Sequence, residues 1–141
     1  MSRVTMAQMK QFLITEFPQA RFSIEAFDDA TITVRYQVSD ADLRPGGTVS
    51  GPTMMSLADC AIYIAVLREI GLVALAVTTS LNINFLRKPA AGRDLLGVCN
   101  VLKLGKVLAI AQVSIYSEGN SEVVAHSVGT YSIPPAQRSA V

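Results

Sequence analysis

The amino-acid sequence predicts an α+β fold in which a curved, mostly antiparallel sheet of about six strands wraps one long central helix. Three observations carry this. A single long, nearly all-apolar helical segment runs from Thr53 to Ile70, six strand-like segments surround it, and the last three of these are separated only by short turns. With 141 residues the chain has the size of one domain and can bury about two-thirds of its surface. No linker or repeat divides residues 1–141.

Residues Thr5 to Glu16 read as a short amphipathic helix, with Met6, Met9 and Leu13 at helical spacing and Phe17-Pro18 as its stop. Arg21–Phe27 and Thr31–Val38 read as strands joined by Asp28-Asp29-Ala30. The second alternates Ile32, Val34 and Tyr36 with Thr33, Arg35 and Gln37. Ser39–Pro52 is irregular, broken by Pro45-Gly46-Gly47 and Gly51-Pro52. The long helix follows, with Pro52 suited to its first turn and Gly71 to its C-cap. Its only polar residues are Thr53, Ser56, Asp59, Arg68 and Glu69, the pattern of a helix buried on most sides. Ala74–Leu86, Asp94–Leu104, Val107–Ser117 and Glu122–Ser132 complete the strands. Lys103-Leu104-Gly105-Lys106 and Ser117-Glu118-Gly119-Asn120 provide turns for a closing meander. A loose tail is expected from about residue 134.

A formal net charge of +1 leaves no electrostatic footprint for nucleic acid or an anionic membrane. The first residues carry no signal-peptide pattern, and the apolar run from Met54 to Val77 is broken by Asp59, Arg68 and Glu69. A cytoplasmic location is therefore expected. Cys60 and Cys99 match no metal or redox spacing and read as free buried thiols. His126, the single histidine, has no partner at a recognisable spacing and reads as an ordinary strand histidine. Half of the residues are hydrophobic, a surplus that points to a covered surface and hence to a homo-oligomer.

Asp59 stands among Met55, Ile62, Tyr63 and Val66 at helical spacing, so its carboxylate projects from an apolar stripe. A buried carboxylate needs a partner, a shifted pKa or a task. An Asp satisfied in the core by a hydroxyl or an N–H is the plain alternative. Gly51 lies where the loop enters the helix, and an N–H there can polarise a carbonyl. Asp59, about two turns further in, is expected to reach the same carbonyl carbon if a second chain segment supplies the opposite wall.

The run Arg44-Pro45-Gly46-Gly47-Thr48-Val49-Ser50-Gly51-Pro52, followed by Ser56-Leu57-Ala58-Asp59, resembles the NPxGxxHGG…LAD segment of hotdog-fold acyl-CoA thioesterases of the phenylacetic-acid-degradation type. Val77-Thr78-Thr79-Ser80-Leu81-Asn82-Ile83-Asn84-Phe85-Leu86-Arg87 is similar to that family's strand leading into NFLRP. Asp94–Lys106 and Val128-Gly129-Thr130-Tyr131 fit its remaining strands. The resemblance implies a hotdog fold and hydrolysis of acyl- or aryl-CoA thioesters, with coenzyme A only as part of the substrate and no cofactor or metal. It matches Gly51 to the oxyanion-hole glycine and Asp59 to the catalytic nucleophile or base. Thr78 matches a hydroxyl contributed by the neighbouring subunit of a homodimer or homotetramer. Strand alternation with Leu81, Ile83 and Phe85 would instead turn Thr79 toward the helix, so Thr78 rests on the motif.

Three positions depart from the family: its His is Ser50, its second glycine is Pro52 and its Asn is Arg44. These changes admit a second reading, a non-catalytic acyl-CoA binder or sensor. The family's dehydratase chemistry needs a His in the loop-helix region, which is lacking here. Ser50, Arg44, Met55, Tyr63, Thr79 and Asn82 complete the candidate substrate contacts, with Met54 as core or acyl-pocket lining. Arg87, Lys88, Arg93 and Lys106 cluster at strand ends and turns, either as a solvated rim or as a mouth for the phosphates of coenzyme A, with Arg87, Lys88 and Lys106 chosen for the latter.

Overall fold

The strongest local signals of the sequence become the elements of the structure, a computed structural model that describes residues 3–135. Helix α1 spans Met6–Glu16. Thr5 caps it in a reciprocal box: its hydroxyl accepts from Gln8 N–H and its own N–H donates to Gln8 Oε1. The strands are β1 (Phe22–Phe27), β2 (Ile32–Tyr36), β3 (Val77–Phe85), β4 (Leu95–Leu104), β5 (Leu108–Ser117) and β6 (Val123–Ser132). Helix α2 spans Gly51–Ile70 between β2 and β3.

All neighbouring strands are antiparallel, in the order β1-β2-β4-β5-β6-β3. The expected meander is β4-β5-β6, and β3 and β1 form the two edges. The sheet curls around α2, which packs on β2, β3, β4, β5 and β6. This is the hotdog arrangement. Ile32, Val34, Leu95, Cys99, Val113, Ile115 and Ala125 supply the sheet's side of the core. The sequence of α2 explains how it is held: every residue from Ala61 to Arg68 is buried, so its C-terminal half is covered all round. Its first half leaves Pro52, Met55 and Ser56 exposed.

Arg68 is buried through pairing. Its guanidinium donates to the carbonyls of Asp28 and Asp29, pairs with Glu69 and lies over the Phe27 ring. It thereby ties the last turns of α2 to the β1–β2 turn.

The structure departs from the expectation at three places. Helix α2 starts two residues earlier, at Gly51, because Ser50 caps it by accepting Thr53 N–H at 3.3 Å. β3 starts at Val77 because Val73–Ala76 closes a turn, with Ala76 N–H on Val73 C=O. Within the irregular segment, Asp40–Asp42 forms a 3₁₀ turn. The expected tail begins at Pro134 and Pro135, and residues 136–141 lie outside those described.

That 3₁₀ turn carries a buried carboxylate that the sequence did not single out. Asp42 is 8% exposed. It accepts from Tyr36 Oη (2.7 Å) and Thr53 Oγ1 (3.1 Å), and from Ser39 N–H (2.8 Å). Its carbonyl accepts Ser50 N–H at 2.8 Å. Burial pushes its pKa up, but the Ser39 N–H and the Tyr36 and Thr53 hydroxyls outweigh it and hold the group below its ordinary 3.8. Asp42 thus locks the loop onto the first turn of α2.

A depressed carboxyl pKa adds stability that is present above the unfolded value and is lost as pH falls through the folded one. Asp42→Ala is therefore expected to lower unfolding free energy at neutral pH by roughly 3 kcal/mol, since it orphans several buried donors. In urea titrations below about pH 4, the gap between wild type and Asp42→Ala should narrow. A constant gap would remove Asp42 from the acid response.

Candidate active site

The site forms where α2 passes from its covered half to its open half. Asp59 lies on the boundary, one turn beyond exposed Met55 and before the sealed run from Ala61. The expectation of a carboxylate enclosed in an apolar stripe is corrected here: Asp59 is partly exposed and opens into a cavity of about 800 Å³. The sheet cannot cover this face because β3, its last strand on that side, ends the sheet.

Two hydroxyls meet the carboxylate. Thr78 Oγ1 donates to Asp59 Oδ1 at 2.7 Å, and Tyr131 Oη donates to the same oxygen at 2.7 Å. Among the described residues no donor reaches Oδ2. The pair therefore pins the carboxylate by one oxygen and leaves the other without a donor among the described residues, on a side chain that lines the cavity. The buried Tyr131 hydroxyl has its pKa pushed well up by desolvation, reinforced by the carboxylate it touches. It is a proton donor to Asp59 throughout the physiological range.

Thr78 acts on Asp59 of its own chain, not of a neighbour, which corrects the arrangement that the family resemblance implied. It faces the helix despite the strand's phase because β3 carries a β-bulge: Thr78 pairs with Tyr131 and Ser80 with Thr130, leaving Thr79 without an opposite residue. The bulge shifts the alternation by one, so Thr78 turns inward. Thr79 turns away and donates to the Thr130 carbonyl at 3.2 Å. Counting back from Leu81 by twos fails at this position for that reason.

Gly51 is the first residue of α2. Of the N–H groups at this end, Pro52 has none, Thr53 is capped by Ser50 Oγ, and Met54 donates to Ser50 C=O at 3.3 Å. Gly51 N–H has no acceptor within the helix and none among the other described residues. The Phe85 ring lies close against this glycine: a Cβ there would come within 3.3 Å of this half-exposed ring, which would have to shift slightly. Eight residues of helix separate Gly51 from Asp59, about 12 Å of rise. One chain's Gly51 and Asp59 therefore do not converge on one carbonyl carbon, contrary to the sequence-based expectation.

Of the remaining candidates, only Tyr63 joins Asp59 and Thr78 on the cavity wall. Ser50 serves as the helix cap. Arg44 is exposed in the preceding turn, Met55 is exposed on α2, and Asn82 is exposed on edge strand β3. None of these lines the cavity, and neither do Arg87, Lys88 or Lys106. Arg87 is engaged by Glu122 and by the Val123 carbonyl, and Arg93 by the Glu118 carbonyl. Met54 is buried in the core. His126 Nε2 bonds Gln112 Oε1 at 3.1 Å, the ordinary strand histidine expected. Cys99 is buried, whereas Cys60 is partly exposed on the cavity wall, its thiol pushed up to about 12 by burial and by Asp59.

Sequence reasoning missed Tyr131 as a site residue, although Val128–Tyr131 belonged to the recognised pattern. Its inward position on β6, opposite Thr78, was the available signal. The α1 residues on the cavity wall were also missed.

Comparison with known proteins shows the family and the fold. The model of the thioesterase superfamily matches residues 46–124. A candidate thioesterase from Silicibacter sp. TM1040 is 48% identical over 96% of each chain, with a TM-score of 0.87. Zebrafish thioesterase superfamily member 2 is 22% identical over 92% of this chain and 99% of its own (TM-score 0.78). The PaaI protein of the E. coli phenylacetic acid degradation operon is 22% identical over 94% and 96% (TM-score 0.78). At that identity the last two show the shared fold. No protein of curated function matches the chain.

The Tyr131 hydroxyl and Asp59 should be energetically coupled. A double-mutant cycle of Tyr131→Phe and Asp59→Ala, read by urea unfolding, is expected to give a coupling of about 1–2 kcal/mol. Additive losses would mean that the hydroxyl does not serve the carboxylate.

Proposed function

Because the chain belongs to the thioesterase superfamily, we propose that it hydrolyses acyl- or aryl-CoA thioesters to the free acid and coenzyme A, with Asp59 as nucleophile or general base. The observation that carries this reading is a carboxylate on the wall of an apolar cavity, tied by two hydroxyls at Oδ1 and with no donor on Oδ2 among the described residues. A carboxylate meant only for the core has both oxygens satisfied, as Asp42 does. Thr78 and Tyr131 hold Asp59 in one orientation, which lowers the cost of positioning it for attack or for taking a proton from water.

An oxyanion donor is still required, and Gly51 N–H is free for it at the positive end of α2. Since about 12 Å of helix separates Gly51 from Asp59 on one chain, the working pair consists of Asp59 from one subunit and Gly51 from another. Two features support a dimer of this kind. Edge strand β3 exposes most of its length, including Val77 and Phe85, and the open face of α2 exposes Met55 beside it. Pairing of β3 with its copy would continue the sheet and cover this apolar edge.

The reaction begins with the thioester carbonyl oxygen on the partner's Gly51 N–H. Oδ2 of Asp59 then attacks the carbonyl carbon, or deprotonates a water that does so. The C–S bond breaks, coenzyme A leaves as the thiol after taking up a proton, and the acid is released, after hydrolysis of an anhydride if Asp59 attacked directly. No step calls for a metal or a redox cofactor. Ser50 and Pro52, where the family has His and Gly, leave this donor in place: Ser50 caps the helix and Pro52 removes only a neighbouring hydrogen. No helix among the described residues is long and apolar enough to cross a membrane, and a cytoplasmic acyl-CoA substrate fits that. The rival reading, an acyl-CoA binder without turnover, draws on Arg44, which is exposed outside the cavity and leaves no group in place of the family's Asn.

Free-thiol release from short, medium, long and aromatic acyl-CoAs tests the assignment. Asp59→Asn is expected to reduce kcat by about 10²–10⁴-fold, while unchanged turnover would refute Asp59 as the base. Retained CoA binding with no release by the wild type would favour the binder. Gly51→Pro deletes the donor N–H at a position where proline suits the helix and the extended backbone of Ser50 accepts it. Mixed and re-associated with Asp59→Asn, it should regain activity that neither variant shows alone. No regain would place both groups on one chain.

A further inference from the structure

The cavity that opens from Asp59 has a second wall, and α1 builds it. Leu13, Ile14 and Phe17 line it from α1, across from Tyr63 on α2. Ile14 is 64% exposed and Phe17 43% exposed, although α1 buries Met9 completely. Apolar side chains left open along a concave wall that ends at a carboxylate cluster are suited to an apolar ligand.

Aromatic contacts run from that cluster to α1. The Tyr131 ring, whose hydroxyl holds Asp59, lies 5.8 Å from the Tyr63 ring, and Tyr63 lies 5.8 Å from Phe17 in an edge contact. An acyl group attached at the carbon facing Asp59 would lie along these rings and meet α1 at its far end. The cavity, about 800 Å³, is within the range of pockets that enclose whole small molecules. Helix α1 is fixed as a wall by its N-terminal end: Arg3 pairs with Glu69 at 3.0 Å and Val4 N–H donates to Arg68 C=O at 3.2 Å.

We propose that α1 is the specificity wall of the acyl chamber, with Ile14 and Phe17 setting the length of acyl group accepted. The substrate class is a medium-length linear or aryl-ended acyl group. This rests on the thioester-hydrolysis reading for its reaction, but the chamber itself binds the acyl portion whether or not turnover occurs. Short acyl groups stop before α1 and are indifferent to it. Long chains run into Phe17.

The test compares kcat/KM for butanoyl-, hexanoyl-, octanoyl-, decanoyl-, dodecanoyl- and palmitoyl-CoA in the wild type, Ile14→Trp and Phe17→Ala. Both positions are exposed enough that the variants should fold, and circular dichroism checks this. Phe17→Ala is expected to move the optimum toward longer chains. Ile14→Trp should lower kcat/KM for decanoyl- and dodecanoyl-CoA about tenfold or more relative to that for butanoyl-CoA. A uniform change across all esters, or an unmoved profile, would overturn the proposal. Calorimetric binding of free fatty acids from hexanoate to palmitate separates the two readings. If no ester releases thiol but the chain-length dependence of fatty-acid binding moves with Ile14→Trp, hydrolysis fails and the chamber stands. If turnover is normal and neither profile moves, the chamber fails and hydrolysis stands. A change of oligomeric state in Ile14→Trp with unmoved profiles would make α1 a subunit interface and also overturn it.

Discussion

A helix that a sheet encloses along only half its length sets the terms for everything else in this molecule. From Ala61 to Arg68 the helix α2 has no face toward solvent, which is why its sequence is apolar nearly all round and why its one internal cation, Arg68, must be matched to carbonyls and a carboxylate. Toward the N-terminus the sheet runs out at β3 and the helix emerges. Asp59 sits at that transition, partly exposed and oriented by the Thr78 and Tyr131 hydroxyls.

Two aspartates show how environment divides roles. Asp42 accepts from four donors spread over both oxygens and fastens the loop to the first turn of α2. Asp59, on the cavity wall, takes both of its hydroxyl donors on one oxygen and has none on the other among the described residues. The first is a structural clamp by any measure of satisfaction. The second has unused accepting capacity beside space where a substrate fits, the arrangement expected of a carboxylate with chemical work. The clamp also serves the site, because the Asp42–Thr53–Ser50 bonds set the direction of the helix end that carries Gly51.

The departures from the family pattern become intelligible at this helix end. A serine in place of the family's histidine supplies a cap, and a proline in place of the second glycine suits the first helical turn. Between them Gly51 is left as the position with both a free N–H and room for Phe85 to lie against it. Arg44 lies outside this arrangement on the exposed turn, and the structure gives it no side-chain partner among the described residues that would explain its presence there.

Composition and periodicity alone determined the α+β class, the one long helix, the six strands and the closing meander, because these follow from local patterns of apolar residues and turn formers. Helical spacing singled out Asp59 and the loop-helix junction Gly51, and motif resemblance gave these two their roles and added Thr78. What only the tertiary structure decided are relations between residues far apart in the chain. The bulge at Thr79 inverts a strand phase that alternation by itself assigns the other way, since a single unpaired residue leaves no mark in the composition. Tyr131 reaches Asp59 across seventy-two positions, and α1 becomes a cavity wall only after the sheet has brought Tyr63 against Phe17. The rise of α2 likewise separates Gly51 from Asp59, two residues that the motif sets side by side. Sequence patterns report which face of an element is apolar. They do not report what that face meets, and the site of this protein is made of such meetings.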